Sequence, residues 1–292
     1  MTSPADARLD PIIRPATDDD VAAIDTLLDG HDAVSSAPPL RPGIRAAHIR
    51  QALRRGQVLV AQLDGAVVGF GSSIDTGHTV HLADLFVDRG FLGRGIGGRL
   101  LPQLFGDRWP RTTFASDDPR AIPLYIRTGM TPLWPNVYVT ADEGVLPEVA
   151  SGFDSEPATA EQIAAIEYEW TDVDRSADHA VWSDRDGARP FVVRRARTVV
   201  AIVQARRRIR GEGRWLDRLR VAPTADPLET ALAAIRFAAA PGQEIGACIP
   251  GPNPALGALV RSGFRVVDGD TFMASEPDLV DPIRTFVDPG AP

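Results

Sequence analysis

The sequence is poor in residues that form covalent or metal cross-links. Its 292 residues include one cysteine, Cys248, which excludes an internal disulfide, and the five histidines argue against a zinc site. No apolar run approaches the roughly 20 residues that span a bilayer. The polar, acidic stretch from Met1 to Pro11 lacks the apolar core of a signal peptide and is interpreted as a frayed tail. We therefore expect a metal-free cytoplasmic protein with no membrane partner.

Positive charge is also scarce. Asp and Glu together number 39 against 31 Lys and Arg, which gives a net charge of −8. No long basic run occurs, and the arginines between Arg206 and Arg210 make only a short cluster, so binding to a nucleic-acid backbone is disfavoured as the main function. A negative surface is compatible with a cationic, amine-bearing substrate.

The length suits two domains, and the sequence contains an internal repeat. Pro-Ala-Thr occurs at residues 15–17 and again at 157–159, each time before an amphipathic helix with acidic residues in its first turn. Thr is a good N-cap, and the acidic residues complement the positive end of the helix. The repeat indicates duplication, with a linker between Thr140 and Phe153.

Both halves predict the same order of elements. In the first half the strands Gln57–Leu63 and Val67–Ser73 are joined by Asp64-Gly65, a good hairpin turn, and Val80–Val87 follows. A helix, a buried strand and a short helix ending at a Gly come next in each half. Each half is therefore predicted as α+β, with a mixed, mostly antiparallel sheet flanked by helices.

The most informative segment joins the strand Leu85-Phe86-Val87 to a helix. It carries glycines at positions 93, 95, 97 and 98, immediately at the predicted helix start. Such a loop can direct successive backbone N–H groups at one point, where the helix dipole adds positive potential. The segment predicts a pyrophosphate site.

Two known phosphate-binding motifs can be compared with this loop. Gly93, Gly95 and Gly98 fit the dinucleotide pattern G-x-G-x-x-G, with Asp117 or Asp118 about 20 residues further on. However, Asp88 to Leu92 separate the strand from the first Gly, and the motif follows antiparallel strands in mid-domain, unlike a Rossmann unit. A P-loop is excluded because no Lys-Ser or Lys-Thr follows the glycines.

The strand, the G-x-G-x-G helix start and the later segment DPRAIPLYIRTGM at 118–130 together resemble the GNAT acetyltransferase family. The family's signatures are [RQ]-x-x-G-x-[GA] and N-x-x-A-x-x-L-Y-x-x-x-G-F. The resemblance predicts two tandem GNAT folds: an N-terminal domain at 11–140 with an intact acyl-CoA motif, and a degenerate C-terminal domain at 154–277.

The resemblance implies a set of cofactor-binding residues. The strand would pair its backbone with pantetheine, the loop would hold the phosphates, and the segment before the last helix would complete the site. These residues are Leu85, Phe86, Val87, Leu92, Gly93, Arg94, Gly95, Ile96, Gly97, Gly98, Asp118 and Ala121. Leu92 replaces the usual Arg or Gln, and Asp118 replaces the usual Asn but can still cap the helix.

The resemblance also assigns the chemistry. Tyr125 matches the tyrosine that protonates the departing thiolate, and backbone donors near Phe86 and Val87 would stabilise the oxyanion. His81 lies where some members have a general base, although a purely structural histidine fits equally well. Asp84 is a candidate for acting through water or binding the amine. Strand alternation puts it on the opposite face from His81 unless a bulge intervenes.

The second half lacks the counterparts of these residues. Its corresponding loop, Val221–Glu229, has no glycine, two prolines and two carboxylates, and Leu259 and Trp215 stand where Tyr125 and His81 do.

The function expected is an N-acetyltransferase that moves an acetyl group from acetyl-CoA to a primary amine in a ternary complex. The acceptor loops would be residues 31–43 and the stretch after Met130. The chain would be a monomer with pseudo-dimeric domain packing, or a homodimer. A non-catalytic CoA-binding or interaction protein and a dinucleotide-dependent oxidoreductase are the alternatives.

Overall fold

The computed structural model describes residues 10–32 and 39–290. The helices are α1 (Val21–Asp32), α2 (Ile44–Arg55), α3 (Ile96–Phe105), α4 (Ala121–Ile126), α5 (Ala160–Thr171), α6 (Ser176–Ser183), α7 (Pro227–Ala238) and α8 (Pro254–Ser262). The strands are β1 (Ile12–Pro15), β2 (Gln57–Leu63), β3 (Ala66–Asp75), β4 (Val80–Val87), β5 (Arg111–Ala115), β6 (Thr131–Asp142), β7 (Phe153–Pro157), β8 (Arg189–Arg195), β9 (Thr198–Arg207), β10 (Arg214–Val221), β11 (Glu244–Pro250), β12 (Arg265–Ala274) and β13 (Thr285–Val287).

Local signals in the sequence account for many of these elements. The hairpin β2–β3 turns at Asp64 and Gly65, which both have positive φ as its tight turn requires. Thr159 caps α5 through a capping box with Gln162. Part of the predicted acceptor loop at 31–43, and most of the predicted N-terminal tail, lie outside the described residues.

All the strands belong to one sheet, in the order β1-β2-β3-β4-β5-β12-β6-β11-β10-β9-β8-β7, with β13 paired to β10. Only the pairs β4–β5 and β10–β11 are parallel. The mixed, mostly antiparallel sheet predicted from the sequence is thus confirmed, and the two halves share it without a break.

The centre of the sheet is built by strand exchange. β12, from the second half, lies between β5 and β6, and β6 pairs on its other edge with β11. In each half, a central strand (β6 in the first, β12 in the second) therefore lies between two strands of the other half. The backbone N–H and C=O groups of these strands are satisfied only when both halves are present.

Two helical layers cover the sheet. On the back face, α3 packs on β2, β3 and β4, while α7 and α8 pack on the second half's strands. On the front face, α1 and α2 cover one end of the sheet and α5 covers the other. The segment after β12 crosses the front face between them, where Leu279 and Val280 pack on Trp134 and Phe272.

A bulge in β4 decides which side chains reach the front face. The register against β3 shifts between the pairs Ser72–Asp84 and Ser73–Leu82, so Ala83 is the extra residue. Leu82, Leu85 and Val87 accordingly belong to the back core. His81, Asp84 and Phe86 share the opposite, front face, which is the exception to strand alternation considered above. β10 carries the same bulge at Asp217.

A shortened chain of residues 1–148 should be poorly soluble when expressed alone. It leaves β5 and β6 without β12 between them and exposes their unpaired edges. Co-expression with residues 149–292 as a second polypeptide is the control, and it should restore a soluble complex in pull-down and gel filtration. A monomeric, stable 1–148 fragment would contradict this account of the exchanged strands.

Candidate active site

A groove opens where β4 and β5 part. They pair only from Val80 to Leu82 against Arg111 to Thr113. The edge of β4 from Asp84 to Val87 that faces away from β3 therefore has no strand beside it. We call this space the first groove. The amide of Asp88 donates to Val68 on β3, so by alternation the amide of Val87 points into the first groove.

The glycine loop closes the end of the first groove. Gly93 and Gly95 have φ of 76° and 80°, and a Cβ at either position would meet nothing within 4 Å, so both lie on an open surface. Gly95 is the N-cap of α3 and no side chain caps this helix. The first amides of α3, from Ile96 to Gly98, are therefore free to bind an anion.

The flanking candidates lie at the same end. Leu92 ends the turn before the loop, and the Arg94 guanidinium stacks over Phe91 at 5.6 Å. Asp118 precedes α4, which begins at Ala121, and its carboxylate accepts from the Arg120 amide at 2.8 Å. Asp118 thus caps the turn before the helix, while Arg120 neutralises its charge.

The equivalent second groove, between β10 and β11, is filled. β10 and β11 also part after a short parallel ladder, but β13 pairs with the freed edge of β10 from Arg218 to Arg220. The Val221 amide, which corresponds to that of Val87, donates to Arg284. The Arg284 guanidinium binds the carbonyls of Ala222 and Ala225, in the loop that corresponds to the glycine loop.

His81 is enclosed. Its Nδ1 lies 3.0 Å from the Thr112 hydroxyl, its ring packs edge-on against Phe114, and it is 1% exposed. Burial lowers its pKa to about 4, and a hydrogen bond with the Pro289 backbone offsets this only in part. The ring is therefore neutral at physiological pH, and its surroundings are those of a histidine with a structural role.

Asp84 belongs to a polar cluster with Ser72 and His48. Its Oδ2 accepts from the Ser72 hydroxyl at 2.5 Å and lies 3.1 Å from His48 Nε2. Burial alone would raise the pKa of Asp84, but His48 and Ser72 bring it below its ordinary value. The Asp84 carboxylate in turn raises the pKa of His48, whose side chain is 43% exposed. The cluster thus connects the Asp84 carboxylate, at the bulge, to His48, which is accessible to solvent.

Tyr125 lies on α4 in the back core and is 7% exposed. Burial, with contributions from the carboxylates of Asp118 and Asp270, raises its pKa well above the ordinary value. The hydroxyl therefore carries its proton throughout the physiological range. This is the state that a proton donor requires.

Metal-ligand clusters and membrane-spanning helices are absent from the described residues. No group of three or more His, Cys, Asp or Glu side chains among residues 10–32 and 39–290 is arranged to hold a metal ion. Over the same residues, no helix is long and apolar enough to cross a membrane.

Comparison with known proteins identifies the fold. Residues 54–130, which run from the end of α2 to the end of α4, match the acetyltransferase (GNAT) domain model. The chain contains a GNAT domain. The family is one of acyltransferases, and the resemblance drawn from the sequence is confirmed. No curated protein matches the sequence.

Solved structures resemble nearly the whole chain. A Pyrococcus horikoshii protein matches at 17% identity and TM-score 0.69, over 96% of this chain and 95% of its own. A tandem GNAT protein from the clavulanic acid biosynthesis pathway matches at 15% and 0.63, over 93% and 100%. A GCN5-related N-acetyltransferase from Sphaerobacter thermophilus matches at 13% and 0.59, over 94% and 96%. At these identities the likeness establishes the fold. The residue bounds of the two predicted domains stay predictions.

The front face around β4 includes residues that sequence reasoning missed. His48 lies on α2, Asp270 on β12 and Asp288 directly after β13. His48 has no motif around it. The other two come from the second half: the strand order brings Asp270 toward β4, and the segment after β13 brings Asp288, since the backbone of Pro289 hydrogen-bonds with His81. The signal that could have pointed to Asp270 was an aspartate in an otherwise strand-like run.

The front face of the second half holds ion pairs instead. Arg218 occupies the position of Asp84, and its Nη2 donates to Glu167 at 2.7 Å in the interior. Arg185 and Arg206 both pair with Asp217. The second half has thus exchanged an acidic, partly open cluster for a buried, charge-balanced one.

The raised pKa of Asp270 leads to a specific prediction about stability. Burial raises its pKa from 3.8 to about 6, and the Tyr138 hydroxyl that it accepts from offsets this only in part. Because the folded-state pKa lies above the unfolded value, stability falls as pH rises through about 4 to 6, when the folded protein must ionise a buried carboxyl. Asp270→Asn should therefore raise the free energy of unfolding at pH 8 by on the order of 2 kcal/mol.

Urea unfolding at pH 8 and at pH 4 checks this, and the gain should shrink at the lower pH. Asp278→Asn, which removes an exposed charge from the same C-terminal region, is the control and should change little. A destabilised Asp270→Asn protein at pH 8 would mean that the ionised carboxylate is favourable where it lies.

Proposed function

We propose that the protein is an N-acetyltransferase that moves an acetyl group from acetyl-CoA to a primary amine, by direct attack in a ternary complex. The observation that carries the proposal is the contrast between the two grooves. The first is open along the backbone of β4 and ends at free amides, whereas the second is filled by β13. An open strand edge is costly unless something pairs with it, and an extended pantetheine arm can do so.

The filled groove indicates how the cofactor would lie in the open one. In the second half, the Arg284 guanidinium binds carbonyls of the loop that corresponds to the glycine loop. The chain then runs along β10 as far as the bulge, where the Asp288 amide donates to the Asp217 carbonyl. By the same path, the pyrophosphate would bind the amides of Gly93 to Gly98. The pantetheine would accept from the Val87 amide, and the thioester would lie beside the bulge at Ala83.

The residues at the bulge supply the chemistry. The neutral amine attacks the thioester carbonyl carbon, a C–N bond forms, and the C–S bond breaks. The thiolate takes a proton from the Tyr125 hydroxyl, and the amine, oriented by the ionised Asp84 carboxylate, loses a proton to water. The backbone N–H of Leu85, which alternation also points into the first groove and which lies nearer the bulge, stabilises the oxyanion as it forms.

The proposal assigns His81 a supporting role. Its low pKa makes it a weak base, and both of its ring nitrogens face polar neighbours. Asp84 is the better candidate for contact with the amine because it is ionised and ends a path to solvent through His48.

Acetyl-CoA should bind once per chain, and Gly95→Val should weaken that binding roughly 10- to 100-fold, because the side chain blocks the amides that contact phosphate. Isothermal titration calorimetry gives both the stoichiometry and the Kd. The control is Gly242→Val: Gly242 also has positive φ and open space around it, but it lies in the second half. Two equivalents of bound acetyl-CoA, or unchanged affinity in Gly95→Val, would overturn the assignment of the site.

Tyr125→Phe should lower kcat by roughly 100- to 10,000-fold while leaving the Kd for acetyl-CoA within about twofold, because only proton delivery is lost. Thiol release with an accepted amine measures kcat. Tyr168→Phe is the matched control because Tyr168 is 52% exposed and lies in the second half. Unchanged single-turnover rates in Tyr125→Phe would remove this residue from the mechanism.

A further inference from the structure

Two carboxylates on the front face accept hydrogen bonds from neutral donors and form no direct ion pair with a described residue. Asp270 accepts from the Tyr138 hydroxyl. Asp288 accepts from Trp215 Nε1 at 2.7 Å, from the Gly290 amide at 2.8 Å and from the Cys248 thiol at 3.7 Å. All of these donors are neutral. Neither carboxylate forms an ion pair with any residue in the described part of the chain.

The fully buried carboxylates of this face, unlike the partly buried Asp270 and Asp288, are paired. Asp178 binds Arg55 and Arg175, Asp217 binds Arg185 and Arg206, and Glu167 binds Arg218. A carboxylate removed from water without a counter-charge is costly. The lack of a direct ion pair at Asp270 and Asp288 therefore distinguishes this region from the paired carboxylates of the same face.

A third acceptor beside them also lacks a donor. Asn136 is fully buried and faces Asp270 across the β6–β12 ladder. Its Nδ2 donates to the Val287 carbonyl, immediately before Asp288, whereas its Oδ1 has no hydrogen bond. Two carboxylates and an unsatisfied amide oxygen suit a group that donates several hydrogen bonds and carries positive charge. An alkylammonium group meets both requirements.

These acceptors lie next to the proposed point of acyl transfer. Asp270 precedes Thr271, which pairs with Ala115 at the end of β5, the strand that parts from β4. Pro289, directly after Asp288, forms a backbone hydrogen bond with His81 on β4. Asp270 and Asp288 come from the second half, through the exchanged strand β12 and the end of β13. The second half therefore contributes directly to the acceptor side of the site.

We propose that the acceptor is a small di- or polyamine, with one amine at Asp84 for acylation and a second ammonium bound by Asp270 and Asp288. This inference rests on the proposed function for its reaction but not for its binding site. The second ammonium supplies a direct ion pair, which neither carboxylate forms with a described residue of the chain.

The test compares acceptors of similar size with one or two amines. Diamines from 1,3-diaminopropane to 1,6-diaminohexane are compared with n-butylamine and n-pentylamine. The expected kcat/KM ratio of the best diamine to n-pentylamine is at least about 10, and both Asp270→Asn and Asp288→Asn should lower that ratio by about 10-fold. Asp278→Asn is the control and should leave the ratio unchanged. A wild-type ratio near one, or a ratio that both variants preserve, overturns the inference.

Calorimetry separates this inference from the proposed function. 1,4-Diaminobutane titrated into the protein without acetyl-CoA should bind, and Asp270→Asn should weaken it by about 10-fold whether or not turnover occurs. Bound diamine without acetyl-CoA binding would sink the proposed function and leave the cation site standing. Acetyl-CoA binding and monoamine turnover, with no diamine binding, would leave the function standing and overturn the cation site.

Discussion

The hydrogen-bond ladder that runs from β5 through β12 and β6 to β11 holds the molecule together, and every other feature of the site depends on it. β12 has a partner on both edges, and both partners belong to the first half. β6 likewise lies between two strands of the second half. With these strands exchanged, the sheet has no seam along which the halves could separate without breaking a ladder. The ladder also carries Asp270 to within electrostatic reach of Tyr125.

The two halves differ in how they treat an exposed strand edge beside a bulge. In each, a bulge kinks a strand, its neighbour diverges, and part of an edge is left bare. In the second half the protein covers that edge itself with β13, and Arg284 meets the adjacent loop through its carbonyls. In the first half the edge stays open beside a glycine loop, which favours an exchangeable ligand. The second half thus closes its groove with its own chain, and the first half leaves its groove open.

The sequence predicted what is local. The β2–β3 turn, the glycine loop at the start of α3 and the helix that carries Tyr125 were all readable because their signals lie within a few residues of one another. The pairing of β12 with β5 was not, since Thr112 meets Ala274 across more than half the chain. The bulge at Ala83 could be named only as an alternative, because alanine carries no signature for it. His48, Asp270 and Asp288 were missed for the same reason: each gains its meaning from neighbours that are distant in sequence.

The strand exchange has a consequence for biosynthesis. When the first half leaves the ribosome, β5 has no partner on its inner edge, and it waits for the whole second half before β12 can insert beside it. During that interval the nascent chain exposes Phe114 and Trp134, the aromatic side chains that β12 and the C-terminal segment later cover. Translation rate and ribosome-associated chaperones can therefore act on the step at which β12 inserts beside β5. A slow stretch of codons before β12 would lengthen the period of greatest aggregation risk and would not help the domain to fold.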